Sequence, residues 1–150
     1  MREWYGAAAV CVNEKNEVLM IKSYGSEAWA VPSGGIDSGE TAAECCVREV
    51  MEETGYPVKI KQNLFTKQTV IQTIQVETTY FEAIRIGDSQ GINDPDETIE
   101  QVAWMSRAQL GTIEHMYPED VLFLMEWLDG RENPHSALKV RKACLELKNT

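Results

Sequence analysis

The stretch that most restricts this chain is a run of glycines that opens directly onto a helical pattern. Ser33, Gly34, Gly35 and Gly39 read as a flexible loop, and residues 41–54 then read as a helix closed by Gly55, with Pro57 just beyond. A glycine there takes the left-handed conformation that ends a helix, and proline cannot extend one. At about 100° per residue, Ala43, Cys46, Val47, Val50 and Thr54 fall on one side, the face expected to enter the core. Glu49, Glu52 and Glu53 gather on another side, with Glu49 and Glu53 one turn apart. Like charges at that spacing destabilise an isolated helix by roughly 0.2–0.5 kcal/mol per pair, so a compensating cation is expected. Magnesium suits the position. It takes hard oxygen ligands, keeps several waters and is commonly shared between carboxylates and substrate phosphates. Arg48 lies one turn from both Glu44 and Glu52 and can hold an acid in orientation. A solvated acidic face accounts for the same charges, and charge pattern alone does not choose between the two.

Around this helix the pattern is mixed. Residues 5–12 are small and apolar, as in a buried strand, and residues 18–21 are a second apolar run, so the polar segment 13–16 between them predicts a hairpin. A short strand is expected over 28–31, ended by Pro32. Further strands are expected at 58–60, 64–73, 75–86 and 99–105, with a polar loop rich in Asp, Gly and Pro at 87–97. Helices are expected at 107–110, 118–128 and 136–148, the last within a C-terminal helical extension at about 130–150. Pro118 suits a first helical position, with Glu119 and Asp120 in the favourable first turn. The order is that of an α/β (α+β) plan in which helices cover a mixed sheet.

At 150 residues, 43% hydrophobic and 25% charged, the chain has the make-up of a single globular domain, residues 1–150. It carries 24 acids against 14 bases, a net charge of −10. A duplex-DNA binder supplies basic surface to replace counterions, so this balance argues against that partner. It does not argue against phosphorylated substrates, provided that divalent metal stands between carboxylates and phosphates. No apolar run approaches a membrane span, and Met1-Arg2-Glu3-Trp4 lacks a signal-peptide pattern. Cys11, Cys45, Cys46 and Cys144 form no CxxC pair and suit reduced thiols. A cytoplasmic protein with no membrane partner is the expectation.

From Gly34, five residues lead to Glu40, and seven more lead to Arg48-Glu49-Val50-Met51-Glu52-Glu53-Thr54-Gly55-Tyr56. This stretch resembles the Nudix box, G-x5-E-x7-R-E-U-x-E-E-x-G-U with U a bulky apolar residue, and every fixed position matches. The box covers 34–56, while Trp29-Ala30-Val31-Pro32 and Val102-Ala103-Trp104 also resemble the family's layout. Two departures stand out. Tyr56 occupies a position where an aliphatic residue is commoner, and Pro32-Ser33-Gly34-Gly35 replaces the usual Pro-Gly-Gly, although serine resists positive φ.

The resemblance implies an α/β/α sandwich with a mixed β-sheet between helices, the box lying at its edge. It implies water attack on a phosphorus of a diphosphate linkage, assisted by Mg2+, with Mn2+ as a substitute. Metals neutralise phosphate oxygens and lower the pKa of bound water, and a carboxylate can then take the proton. On that basis Glu49 and Glu53 are metal ligands, Glu52 is the third, and Ser33 adds a backbone carbonyl. Arg48 orients the acids, and Glu40 supports the junction of loop and helix. The catalytic group is then Arg48, Glu52 and Glu53, with Glu97 and Glu100 as later-loop candidates for the base. Gly34 and Gly35 would lie against the substrate. Trp29 is a candidate to stack on a base, although strand aromatics more often pack in a core.

The substrate expected by default is a nucleoside triphosphate, cleaved by a pyrophosphohydrolase. Dinucleoside polyphosphates, nucleotide sugars and RNA 5′ ends are alternatives, as is a non-catalytic nucleotide-binding module, which typically lacks the box glutamates retained here. The partner is a nucleotide-type small molecule, and the family resemblance also implies a homodimer.

Overall fold

The computed structural model describes residues 2–132, so the helix expected at 136–148, and all of the extension beyond Glu132, lie outside the described residues. Ala7, Ala8, Ala9, Val10 and Cys11 are all buried, because strand β1 (Glu3–Cys11) has packed layers on both faces. A strand covered on both sides needs no polar alternation. Ala7, Ala9 and Cys11 pack towards helix α1 (Ala42–Thr54), against Cys45, Cys46 and Val50. Ala8 and Val10 pack the other way, towards Phe123, Leu124 and Leu128 of helix α3 (Val121–Glu132).

Between those helices lie two four-stranded sheets, both mixed. The first has the order β4 (Ser33–Gly35), β1, β6 (Ile74–Arg85), β5 (Val58–Ile71), with β1 antiparallel to β4 and parallel to β6. The second has the order β7 (Ile99–Met105), β2 (Val18–Ser23), β3 (Ala28–Ala30), β8 (Glu114–His115). Helix α2 (Arg107–Leu110) is capped by Ser106 and follows β7. The α/β/α layering and the mixed strand directions are as the sequence implied.

Four local expectations change. Residues 13–16 do close a turn, through the Asn13 N–H to Glu17 carbonyl bond at 2.9 Å and a Val12–Val18 bridge, yet no hairpin follows. β1 takes β4 and β6 as neighbours while β2 takes β3 and β7, so the two apolar runs separate into different sheets. The glycine stretch expected as loop is in part strand, since Ser33–Gly35 pairs with Gly6–Ala8 of β1. The two strands expected at 58–60 and 64–73 are one. Irregularities at Ile60/Gln62 and Asn63/Phe65 shift its inward residues from the α1 side (Val58) to the α3 side (Leu64, Phe65), which interrupts the alternation in sequence. Pro118–Asp120 forms a 3₁₀ turn before α3 rather than its first α-helical turn.

Both ends of α1 are fastened. Thr41 and Glu44 form a capping box, each side chain accepting the other's backbone N–H. At the other end the segment 89–93 takes up carbonyls the helix leaves unpaired. The Ser89 hydroxyl donates to the Thr54 carbonyl at 2.8 Å, Gln90 N–H to that of Gly55 and Asn93 N–H to that of Glu52, both at 2.9 Å. Gly55 is left-handed (φ 78°), and a Cβ there would collide with the Gly91 backbone and the Ser89 hydroxyl. Gly39 is also left-handed (φ 79°), but a Cβ there meets nothing within 4 Å. Urea unfolding should separate the two costs. Gly39→Ala is expected to lose about 1 kcal/mol from backbone strain, and Gly55→Ala distinctly more, because it must also push the 89–93 segment off the helix end. Equal losses would mean that this segment is not held there.

Candidate active site

Arg48 organises the acids at the edge of the first sheet. Its Nε and Nη2 grip Glu40 as a fork, at 2.7 Å to Oε2 and 2.9 Å to Oε1. Nη1 donates to Glu49 Oε1 at 2.8 Å and Glu52 Oε2 at 3.2 Å, and Nη2 also donates to the Gly35 carbonyl at 3.0 Å. A guanidinium has five N–H donors, and these five acceptors use all of them. The fork to Arg48 holds the Glu40 carboxyl down at about 2, and the same partners raise the Arg48 pKa further above its usual value.

Glu53 is placed differently. It is buried and accepts the Ser33 amide N–H through Oε1 at 3.0 Å. Burial pushes its carboxyl up to about 9, and the nearby charge of Glu49 pushes the same way. Burial also raises Glu49, against the pull of Arg48. Ser33 lies in the extended backbone of β4 without positive φ, so its position does not call for glycine. At Gly34 a Cβ would run into the Glu49 carboxylate and push it out of its place. Cys45, on the acidic side of α1 by sequence, is buried with its thiol 3.5 Å and 3.4 Å from the carbonyls of Gly34 and Gly35.

Ser33, Gly34, Gly35, Arg48, Glu49, Glu52 and Glu53 line a cleft of about 550 Å³ that also contains Asp37, Asp94 and Asp96. Six acids (Asp37, Glu49, Glu52, Glu53, Asp94, Asp96) thus face a single base, Arg48, whose donors are all engaged. That imbalance, together with a buried carboxylate whose strongest neighbour is another acid, fits a divalent cation bound at Glu49 and Glu53. Among the described residues no three Asp, Glu, His or Cys side chains converge into a ready-made chelate. Arg48 engages Glu49 Oε1 and Glu52 Oε2. Magnesium tolerates such a sparse set, because it keeps waters and takes phosphate oxygens as ligands.

The structure brings Arg48, Glu49, Glu52, Glu53, Ser33, Gly34 and Gly35 into one cleft. It does not bring the others there. Glu97 is exposed and absent from the cleft lining, and Glu100 pairs with Lys22 at 3.0 Å. The loop acid that does reach the cleft is Asp94, carried there by the segment that caps α1. Its carboxylate accepts N–H bonds from Asp96 and Thr98 and the Thr98 hydroxyl. Sequence gave no hint of it, because the capping contacts join residues far apart in the chain. Trp29 packs against the core on the α3 side, away from the cleft. The aromatic at the cleft is Trp4, whose ring lies over Gly6 and Gly35. Trp4 and Ser33 also border a second, largely apolar cavity of about 370 Å³ next to the cleft. At the end of α1, Tyr56 finds a polar partner that an aliphatic residue would lack. Its hydroxyl accepts from the Trp104 indole at 3.0 Å, with the rings edge to face at 5.2 Å.

A model of the NUDIX domain matches residues 3–127. The chain is 43% identical over 51 residues to the putative 8-oxo-dGTP diphosphatase of Bacillus subtilis (strain 168), an alignment covering 34% of each chain. It is 39% identical over 59 residues to an RNA pyrophosphohydrolase of Actinobacillus succinogenes, covering 39% of this chain and 30% of that one. Nudix hydrolase 2 of Arabidopsis thaliana is 30% identical over 105 residues, covering 67% of this chain and 38% of its own length. The matched part is therefore a third or so of these relatives' lengths. Among solved structures, a UDP-X diphosphatase superposes with a TM-score of 0.71 at 18% identity, over 89% of this chain and 66% of that one. A MutT protein from Methanosarcina mazei Go1 superposes with a TM-score of 0.67 at 21% identity, over 88% and 96%. These two likenesses establish the fold.

The environment of Glu53 has a measurable consequence. Its folded pKa lies above its unfolded value, so its contribution to stability is full at low pH and is lost as pH rises through about 9. Thermal unfolding in chelator should show metal-free protein losing stability between about pH 5 and about pH 9. Glu53→Gln should remove most of that slope, and Mg2+ should stabilise the wild type but not the variant. A wild-type slope no steeper than the variant's would contradict this account of Glu53.

Proposed function

The chain belongs to the NUDIX family, and from that premise we propose that it is a metal-dependent hydrolase of nucleoside diphosphates linked to a further group. The observation that carries this reading is the cleft in which six acids face one fully engaged arginine beside the glycines of β4. Nucleoside triphosphates are the substrates best supported, cleaved to a monophosphate and pyrophosphate. The printed activities of the relatives, an 8-oxo-dGTP diphosphatase and an RNA pyrophosphohydrolase, both concern phosphate chains attached to a nucleoside.

Glu49 and Glu53 would hold Mg2+ or Mn2+, joined by Glu52 and the Ser33 carbonyl. When bound, the metal neutralises phosphate oxygens and makes a bound water more acidic. Arg48 keeps Glu49 and Glu52 pointing into the cleft and does not itself exchange protons, since its carboxylate partners bind its charged form. Glu52 contacts Arg48 through one oxygen, Oε2, which leaves Oε1 to take a proton from the attacking water. Glu53 is the alternative base in its ionised state. Asp94 is fixed by Thr98 and Asp96 opposite the glutamates and adds negative potential for a second cation arriving with the phosphates. The glycine backbone of β4 lets phosphate approach where a side chain would block it. Trp4 lies between cleft and apolar cavity, placed to flank the base or sugar of a bound nucleotide.

A panel of nucleoside triphosphates, dinucleoside polyphosphates, nucleotide sugars and 5′-triphosphorylated RNA, assayed with Mg2+ for pyrophosphate and orthophosphate separately, tests the reading. Pyrophosphate release from at least one triphosphate is expected. Glu53→Gln should lower kcat by about a hundredfold or more, as loss of several kcal/mol of metal-borne stabilisation requires, with its folded circular-dichroism spectrum retained. Full activity in that variant, or no turnover of any diphosphate compound by the wild type, would overturn the proposal.

A further inference from the structure

The segment between β6 and β7 has no apolar anchor of its own. From Asp88 to Thr98 every residue is exposed except Asp94, which is partly buried at the cleft. Hydrogen bonds therefore decide where this segment lies, and a stretch held so sparsely opens easily. Beyond Asp94, the Thr98 carbonyl accepts the Tyr24 N–H at 2.8 Å. The Asp94 carboxylate closes its own tight turn by accepting the N–H groups of Asp96 and Thr98. Ahead of Asp94, residues 89–93 are tied to the end of α1. The bonds from Gln90 and Asn93 are main-chain bonds, which any residue but proline makes. Ser89 supplies the one side-chain tie from this stretch to the helix among the described residues. Its hydroxyl is used in both directions, donating to the Thr54 carbonyl at 2.8 Å and accepting the Gly91 N–H at 3.1 Å. The second bond folds the chain back and lays the Gly91 backbone against Gly55.

We propose that Ser89 is a positioning residue: its hydroxyl sets where Asp94 stands in the cleft, and through Asp94 how firmly the cleft holds a divalent cation. This rests on the hydrolase reading above and extends it to a residue that does not line the cleft. Asn93, tied to the Glu52 carbonyl, directly precedes Asp94, so the hold on the helix end reaches Asp94 through a single peptide link. Glu52 and Glu53 lie on the same last turn of α1, so their carboxylates and Asp94 are referred to one rigid element. Without the Ser89 hydroxyl, the bonds from Gln90 and Asn93 are left to compete with water alone. Asp94, still closed in its own turn, then swings about the remaining tie at Thr98. A carboxylate that spends part of its time outside the cleft attracts a cation less. Ser89 is itself exposed, so its loss removes no cation ligand and takes nothing from the core.

Calorimetric titration of the nucleotide-free protein with Mn2+ tests this without turnover. Asp94→Asn should weaken Mn2+ binding by about threefold to tenfold, the size of one carboxylate's attraction through water. Ser89→Ala should weaken it as well, and the double variant should be no weaker than Asp94→Asn alone, because Ser89 acts only through Asp94. Ser89→Thr keeps the hydroxyl and should restore the wild-type affinity. In Ser89→Ala, hydrogen exchange should quicken at the Gln90 and Asn93 amides and stay unchanged in the middle of α1. Wild-type affinity in Ser89→Ala or in Asp94→Asn, losses that multiply in the double variant, or a Ser89→Thr variant as weak as Ser89→Ala would each overturn the role of Ser89. The substrate panel, run in parallel on the wild type, separates this proposal from the hydrolase reading. Ser89-dependent Mn2+ binding in a protein that hydrolyses no diphosphate compound overturns the hydrolase reading and leaves the hold on Asp94 standing. A wild type with no measurable affinity for Mn2+ overturns both.

Discussion

One guanidinium decides how the edge of this molecule is built. Arg48 spends all five of its N–H donors on Glu40, Glu49, Glu52 and the Gly35 carbonyl. These bonds tie strand β4, the end of the glycine stretch at Glu40 and the middle of α1 into one unit. A lysine has three donors and no planar fork, so it could not reproduce the set. Because Arg48 faces more acids than it can neutralise, the cleft retains excess negative charge. Glu53 feels this most, being buried with a backbone N–H as its hydrogen-bond donor and Glu49 as its strongest charged neighbour. The same arrangement therefore gives order to the apo fold and demand for a cation, and the two are not separable.

How much of this could be read in the residues depends on how local each cause is. The helix and its end were legible because helical spacing and left-handed termination at Gly55 are written within a few positions, whereas the Thr41–Glu44 capping box emerged only in the structure. The acids of α1 were legible because helical spacing alone puts them on one side. Strand partners were not. The alanines of β1 and the apolar run of β2 look like a hairpin from close range, and only burial on both faces separates them into two sheets. Irregularities within β5 hid one long strand as two, since a shifted alternation resembles a break.

The same distinction runs through the site. Glu97 and Glu100 were natural candidates because they precede a strand near the expected cleft, yet the residue that arrives is Asp94. Its position follows from Ser89, Gln90 and Asn93 satisfying the carbonyls at the end of α1, a contact that no motif encodes. Trp4 reaches the cleft where Trp29 does not, because β1 pairs with β4 and so carries it over the glycines. Cleft and apolar cavity meet at Trp4 and Ser33, so an acid-lined region adjoins an apolar one. Among the described residues no helix is long and apolar enough to cross a membrane.

The central claim is that the acids around Arg48 hold a divalent cation where the phosphates will lie. A crystal of the protein grown with Mn2+ and a non-hydrolysable nucleoside triphosphate, examined by anomalous scattering at the manganese edge, tests it most directly. The account predicts a peak bonded to the carboxylates of Glu49 and Glu53 and to phosphate oxygens of the nucleotide. A nucleotide bound with no anomalous peak at those glutamates, or with manganese held elsewhere, would contradict it.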